Sequence, residues 1–355
     1  MRLRLVRNLS VTLTIVASLV VITVAAKERD SRASVLRRAQ LWTQTDTRHK
    51  NLAEGPGGPG SFAPDETVRC KYLDKKLSGN SPKFACLIGA DDEVKVKFGG
   101  TNGEVYGELM ATRLLWALGF GADRMYRVNV ICDGCPESFA GINRPNSESR
   151  FSPALIERKM DGDEWKGEGG SGWSWRELEK LEPDAGGAPL HQRDALKLLA
   201  VMVQHTDTKP QQQRILCLDR SKDDTECEKP FLMLSDLGLT FGRASRTNTN
   251  DLSGANLAAW RKTTVWRDAT GCVGNLPRSL TGTLDNHVIS EAGRAFLAGL
   301  LTQLSDHQLH DLFDSAAVTH RLREPGQARS GFPSVDEWVD AFTDKRQQIV
   351  DRRCS

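Results

Sequence analysis

The reading of this chain turns on two stretches, LKLLAVMVQHTDTKPQQQRIL at residues 196–216 and LMLSDLGLTFG at residues 232–242. The first is an apolar helical segment whose buried stripe of Leu196, Leu199, Ala200 and Val203 runs into a polar loop carrying His205, Asp207 and Lys209. A short strand and a charged turn follow. The second stretch then delivers Asp236 one residue ahead of Leu237-Gly238. Two acids at the ends of neighbouring hydrophobic elements suit phosphoryl transfer, in which one carboxylate orients a hydroxyl and another holds magnesium.

Working outward, the 355-residue chain is 39% hydrophobic and 26% charged, enough for one large core or two units. Its formal net charge is only +2, with no basic stripe or acidic run, so nucleic acid is not an expected partner. Arg2, Arg4 and Arg7 precede an uncharged stretch from Leu9 to Ala26 that ends in small residues. Residues 1–26 therefore read as a secretory signal or, if uncleaved, an N-terminal anchor, which would be the chain's one membrane contact. An exported body, periplasmic or extracellular, is the expectation.

Eight cysteines fit an oxidising compartment. Two pairs have local geometry in their favour. Cys70 and Cys86 flank a turn-rich segment between strand-like runs, and Cys217 and Cys227 bracket another, so each pair could staple a hairpin. Cys132-Asp-Gly-Cys135 lacks the second pair a zinc site would need and the strand-helix setting of a thioredoxin motif, leaving a turn disulfide or bonds elsewhere.

Residues 27–64 read as a flexible linker with one short helix near 35–42, because Glu54-Gly-Pro-Gly-Gly-Pro-Gly-Ser61 carries no regular element. From there the pattern is β. Strands are predicted over 67–72, 83–88, 93–98, 126–132 and 151–160. In the third, Val94 and Val96 alternate with Lys95 and Lys97, which puts both lysines on the opposite face. A helix over 104–118 carries Glu104 and Glu108 one turn apart, so either could reach back to a strand lysine. Trp165, Trp173 and Trp175 sit in a glycine-rich neighbourhood, where they could stack on a ligand or cap a core edge. Helices are predicted over 190–204, 290–304, 306–316 and 335–350. Strands first and helices second give an α+β chain.

Taken together, over residues 67–317, these motifs resemble the protein-kinase-like superfamily in its atypical branches: the phosphatidylinositol kinases, the bacterial HipA-type kinases and the secreted casein kinases of the Golgi. The chain is also similar to exported bacterial proteins of unassigned function that carry H-x-D-x-K and D-x-G-x-x-F-G. The resemblance implies a two-lobed fold, with a β-rich N-lobe over 65–160 and a mostly helical C-lobe over 161–355. It assigns the phosphate-contacting lysine to Lys97, with Lys95 as alternative, and its glutamate partner to Glu108, with Glu104 as alternative. Glu157 and Met160 fall where the family's hinge passes the adenine. Asp207 resembles the acid that accepts the hydroxyl proton, and Lys209 could neutralise charge on the transferred group. Asp236 resembles the metal-binding aspartate.

Two positions depart from the pattern. Gln212 stands where the family has the asparagine of the second metal contact, and the 74–79 loop has one glycine instead of three. Lys75 and Lys76 in that loop could help with phosphates or lie on the surface. The implied cofactors are ATP and magnesium, with manganese as an alternative ion. The implied partner is a hydroxyl-bearing acceptor: protein, sugar or lipid headgroup. Three readings stand: an exported phosphotransferase, a secreted pseudokinase serving as a binding module, and a thiol-disulfide protein using Cys132 and Cys135.

Overall fold

The computed structural model describes residues 31–354 apart from 80, 137, 140–141, 144–148, 220–225 and 321–332, with backbone alone at 138–139, 142–143 and 250–251. The expected signal or anchor over 1–26 lies outside the described residues. The chain is a mixed α+β structure.

The residues read as a linker are a correction. Helix α1 (Arg32–Arg38) and the chain after it are built into the core: Val35, Leu36, Ala39, Leu41 and Leu52 are fully buried. The buried Arg113 guanidinium donates to the carbonyls of Leu52, Ala53 and Glu54, and Tyr126 Oη donates to Pro56 O at 2.6 Å. Glycine and proline do rule out regular elements here, but they do not prevent packing. A sparse set of apolar side chains and carbonyls finds partners supplied by residues far along the chain.

Strands β1 (Glu66–Leu73), β2 (Lys83–Ile88) and β3 (Asp92–Phe98) follow, then α2 (Gly103–Leu118), β4 (Gly121–Ala122) and β5 (Arg124–Asp133). A two-strand hairpin of β6 (Ser138–Phe139) and β7 (Ile142–Asn143) leads to β8 (Ser149–Arg158). Strands β1, β2, β3, β8 and β5 close into a barrel, in which only the β1–β5 seam is parallel. Val94 and Val96 point into its aromatic-rich interior with Phe84, Phe98 and Phe151. The strand alternation therefore turns Lys95 and Lys97 outward, and α2 packs against β5 and β8 on the outside.

Asn102 caps α2 by accepting the Glu104 N–H, and Gly119 ends it in the left-handed region at φ 86°. Within α2, Gly107 permits a close approach: a Cβ there would lie 2.5 Å from the carbonyl oxygen of Gly238. Thr240 Oγ1 donates to the Gly107 carbonyl at 3.1 Å. The helix is thereby seated directly on the 236–242 loop.

The rest of the chain packs helices around a small sheet. Strand β9 (Asp163–Glu164), helix α3 (Leu190–Met202), strands β10 (Gln213–Cys217) and β11 (Pro230–Leu234) are followed by α4 (Asn250–Ser253), α5 (Leu257–Lys262), α6 (Glu291–Leu301), α7 (Asp306–Ser315) and α8 (Val335–Asp351). The sheet order is β4-β11-β10-β9, and α3 lies against α6. Trp165, Trp173 and Trp175 are buried in this core, so they are packing residues and not an exposed stacking surface.

All eight cysteines pair, as Cys70–Cys86, Cys132–Cys135, Cys217–Cys227 and Cys272–Cys354. Such pairing fits an oxidising location. Cys132 is buried at the end of a barrel strand, and the element that follows Cys135 is the β6–β7 hairpin and not a helix, which removes the support for the thiol-disulfide reading. Among the described residues no helix is long and apolar enough to cross a membrane.

Candidate functional site

The loop after α3 and the loop after β11 are laced together. Gln204 takes a positive φ of 55°, Thr206 N–H donates to Leu239 O at 3.4 Å, and Phe241 N–H donates to Val203 O at 2.7 Å. Antiparallel pairing of β10 with β11 sets Gln213 opposite Leu234, and Ser235 N–H donates to Gln212 O at 2.9 Å. These bonds hold Asp207 and Asp236 on neighbouring loops, although 29 residues separate them in the chain.

Asp207 Oδ2 accepts from Lys209 Nζ at 2.9 Å and from Gln212 Nε2 at 2.7 Å. Its Oδ1 is buried with no hydrogen-bond partner among the described residues. Asp236 Oδ1 accepts the Gly238 N–H at 3.3 Å and lies 3.7 Å from Lys97 Nζ. Burial alone would raise the Asp236 carboxyl. The Lys97 ammonium outweighs it, helped by Lys95, the Gly238 N–H and Lys83, and holds it at about 2, so this group is an anion at neutral pH.

Lys97 is ion-paired with Glu108, and the two side chains are 1% and 0% exposed. Burial would favour the neutral amine. The carboxylates of Asp236 and then Glu108 win, and they hold the Lys97 ammonium well above its ordinary range. Of the candidate pairs, Lys97 meets Glu108, while Lys95 pairs with Glu157 and Glu104 accepts from Ser81 Oγ.

A cleft of about 1490 Å³ joins these elements. Lys83, Lys95 and Glu157 line it from the barrel, Glu104 from α2, and Asp207, Lys209, Gln212 and Asp236 from the two loops. Lys97 and Glu108 lie behind this lining, reaching it through Asp236. Met160 does not line it. Its side chain packs with Leu216, Phe231 and Met233, and its N–H donates to Asp123 Oδ1 at 2.9 Å, so the expected hinge contact at this residue is replaced by an internal one. Lys75 pairs with Glu93 and is likewise not part of the lining.

Sequence reasoning missed Lys83, which lines the cleft opposite Lys97 in the β2–β3 register. Gly79, at φ 90°, makes room for it, since a Cβ on that glycine would lie 2.7 Å from Lys83 Nζ. The lysine was visible at the start of a predicted strand; its pairing register was not. His205, by contrast, is fully buried beside Trp175 with both ring nitrogens unpartnered among the described residues.

Asp236 presents to the cleft an ionised, partly exposed carboxylate, the kind of oxygen donor a hard divalent cation takes, and Asp207 lines the same cleft with its Oδ1 buried and unpartnered among the described residues. Gln212 turns its amide nitrogen to Asp207, which leaves only its carbonyl oxygen for such an ion.

Comparison with protein-family models gives no match, and no curated protein matches. Among solved structures, the chain is similar to the crystal structure of the Helicobacter pylori proinflammatory kinase CtkA, with a TM-score of 0.43 and 10% identity over 80% of this chain and 96% of that one.

Proposed function

We propose that the chain is an exported, two-lobed, kinase-like phosphotransferase that moves a phosphoryl group from a nucleoside triphosphate, with magnesium or manganese, to a hydroxyl on a protein, sugar or lipid headgroup. One observation carries this reading: two acids from separate later loops, Asp207 and Asp236, line one cleft between the barrel and the helical part of the chain, and a buried ammonium from β3 stands 3.7 Å behind Asp236.

In this reading Asp236 would hold the divalent ion, with the Gln212 carbonyl oxygen as a second protein ligand. The bound ion would neutralise charge on the phosphate oxygens. Lys97, kept charged by Asp236 and Glu108 behind the lining, would act on the phosphates through its fixed positive field and through its hold on Asp236. Asp207 accepts the proton of the attacking hydroxyl. Lys209, already 2.9 Å from Asp207, offers positive charge to the transferred group. The four disulfides support the exported compartment.

The test is transfer of labelled phosphate from the triphosphate to an acceptor, or to the chain itself, by wild type and by Asp207→Ala. Incorporation by wild type that is lost in the variant supports the enzyme. The commitment of the Gln212 amide nitrogen to Asp207 favours one second reading, a secreted binding module. Magnesium-dependent stabilisation by nucleotide, abolished in Asp236→Ala and unaccompanied by transfer, would select it.

A further inference from the structure

A second charged assembly lines the cleft beside Lys83 and Asp236. Lys95 precedes Lys97 by two residues on β3, so it lies about 7 Å back along the strand. It is ion-paired with Glu157, its direct register partner on β8. Lys159 Nζ then bridges Glu157 Oε1 at 2.8 Å and Asp123 Oδ2 at 3.1 Å.

The acids of this chain are recessed and the amines are not. The side chains of Glu157 and Asp123 are 3% and 1% exposed, against 28% for Lys95 and 60% for Lys159. A ligand entering here meets ammonium groups that keep N–H donors beyond those committed to the carboxylates. Burial would weaken the charge on Lys159, but Asp123 and Glu157 outweigh it and hold the ammonium above its ordinary range. The backbone donor that could have read a base at this end, the Met160 N–H, is already bonded to Asp123.

We propose that Lys95 and Lys159 set the base specificity of the cleft and favour guanine over adenine nucleotides, an inference that rests on the nucleotide-binding reading above. The placement fits, since Lys95 and Lys159 share Glu157 and line the same cleft as Lys83 and Asp236, so a nucleotide with its phosphates at the latter two can turn its base toward the former. The chemistry also fits. Guanine presents two adjacent acceptors, O6 and N7, which lysine donors match, whereas adenine sets an N6 amino donor beside N7 and would direct N–H against N–H.

The experiment is isothermal titration of the purified protein with magnesium GTP and magnesium ATP. Wild type is expected to bind GTP about tenfold more tightly. Lys159→Arg should keep the preference. Lys159→Gln should erase or reverse it, because an amide matches the N6 and N7 of adenine. ATP bound as tightly as GTP, or more tightly, by wild type overturns the base assignment and leaves the phosphotransferase reading standing. Binding of neither nucleotide overturns both. If Lys159→Gln does not fold, the wild-type ratio still decides.

Discussion

The Lys97 ammonium stands 3.7 Å from Asp236 Oδ1 while it is ion-paired to Glu108, so one buried cation joins the barrel, α2 and the loop after β11. Such a group is strongly coupled to its partners. Removing one member of a buried pair leaves an uncompensated charge, which costs about 3–5 kcal/mol. Lys97→Met should therefore lower the melting temperature clearly, and Lys97→Met combined with Glu108→Leu should recover most of that loss. Nucleotide binding should be absent in both. A double variant that melts no higher than Lys97→Met would contradict the charge-burial account.

Lys83 provides a second, separable cation. Burial first, and then Lys97, lower its ordinary pKa, while Asp236 and Glu104 oppose them. Hydrogen bonds to charged groups are worth about 1.5–3 kcal/mol, so Lys83→Met should weaken triphosphate binding roughly tenfold or more with little effect on melting. Gly79→Ala should weaken it too, because the added methyl crowds Lys83 Nζ and the backbone holds a positive φ. Titration of wild type and both variants with one nucleotide checks this; equal affinities would remove Lys83 from the site.

Much of this geometry was legible in the sequence. Alternation at Val94, Lys95, Val96 and Lys97 fixed which side chains enter the barrel, and the strands over 67–72, 83–88 and 93–98 were read within a residue or two. The local disulfides Cys70–Cys86 and Cys217–Cys227 were readable because hairpin geometry is short-range. What escaped depends on partners distant in the chain. Nothing local says that Leu52 meets Arg113, that Asp123 captures the Met160 N–H, or that Lys83 lies opposite Lys97. Composition identified residues 54–61 as irregular but could not say whether they were packed.

His205 makes acid stability testable. Burial, only partly offset by Asp207 and Asp236, depresses its pKa from 6.5 to about 4. The fold therefore favours the neutral ring. The associated stability is present above pH 6.5 and is lost as pH falls through about 4, because the unfolded chain takes up the proton first. The shift corresponds to roughly 3 kcal/mol. In melting curves between pH 7 and 4, wild type should lose more stability than His205→Phe; parallel curves would rule out this residue as the source.

The Cys272–Cys354 bridge allows stability and site integrity to be told apart. It closes a span of 82 residues and fastens the chain after α8. That end is also held by Arg294, which donates to the carbonyls of Ile349 and Val350, and by Trp266 Nε1, which donates to Gln348 O at 2.9 Å. None of these residues lines the cleft with Asp207 and Asp236. The bridge between Cys70 and Cys86, in contrast, joins the two strands whose connecting loop contributes Leu77, Ser78, Gly79 and Ser81 to the lining. Cys272→Ser with Cys354→Ser should thus lower stability by roughly 2–4 kcal/mol and leave nucleotide affinity unchanged. Cys70→Ala with Cys86→Ala should weaken nucleotide binding as well, because that loop loses its anchor. Melting and titration on the two double variants separate these effects. If removing the Cys272 bridge weakened binding as much as removing the Cys70 bridge, the cleft would depend on the C-terminal packing as a whole, and its assignment to the barrel loop and the two acidic loops would fail.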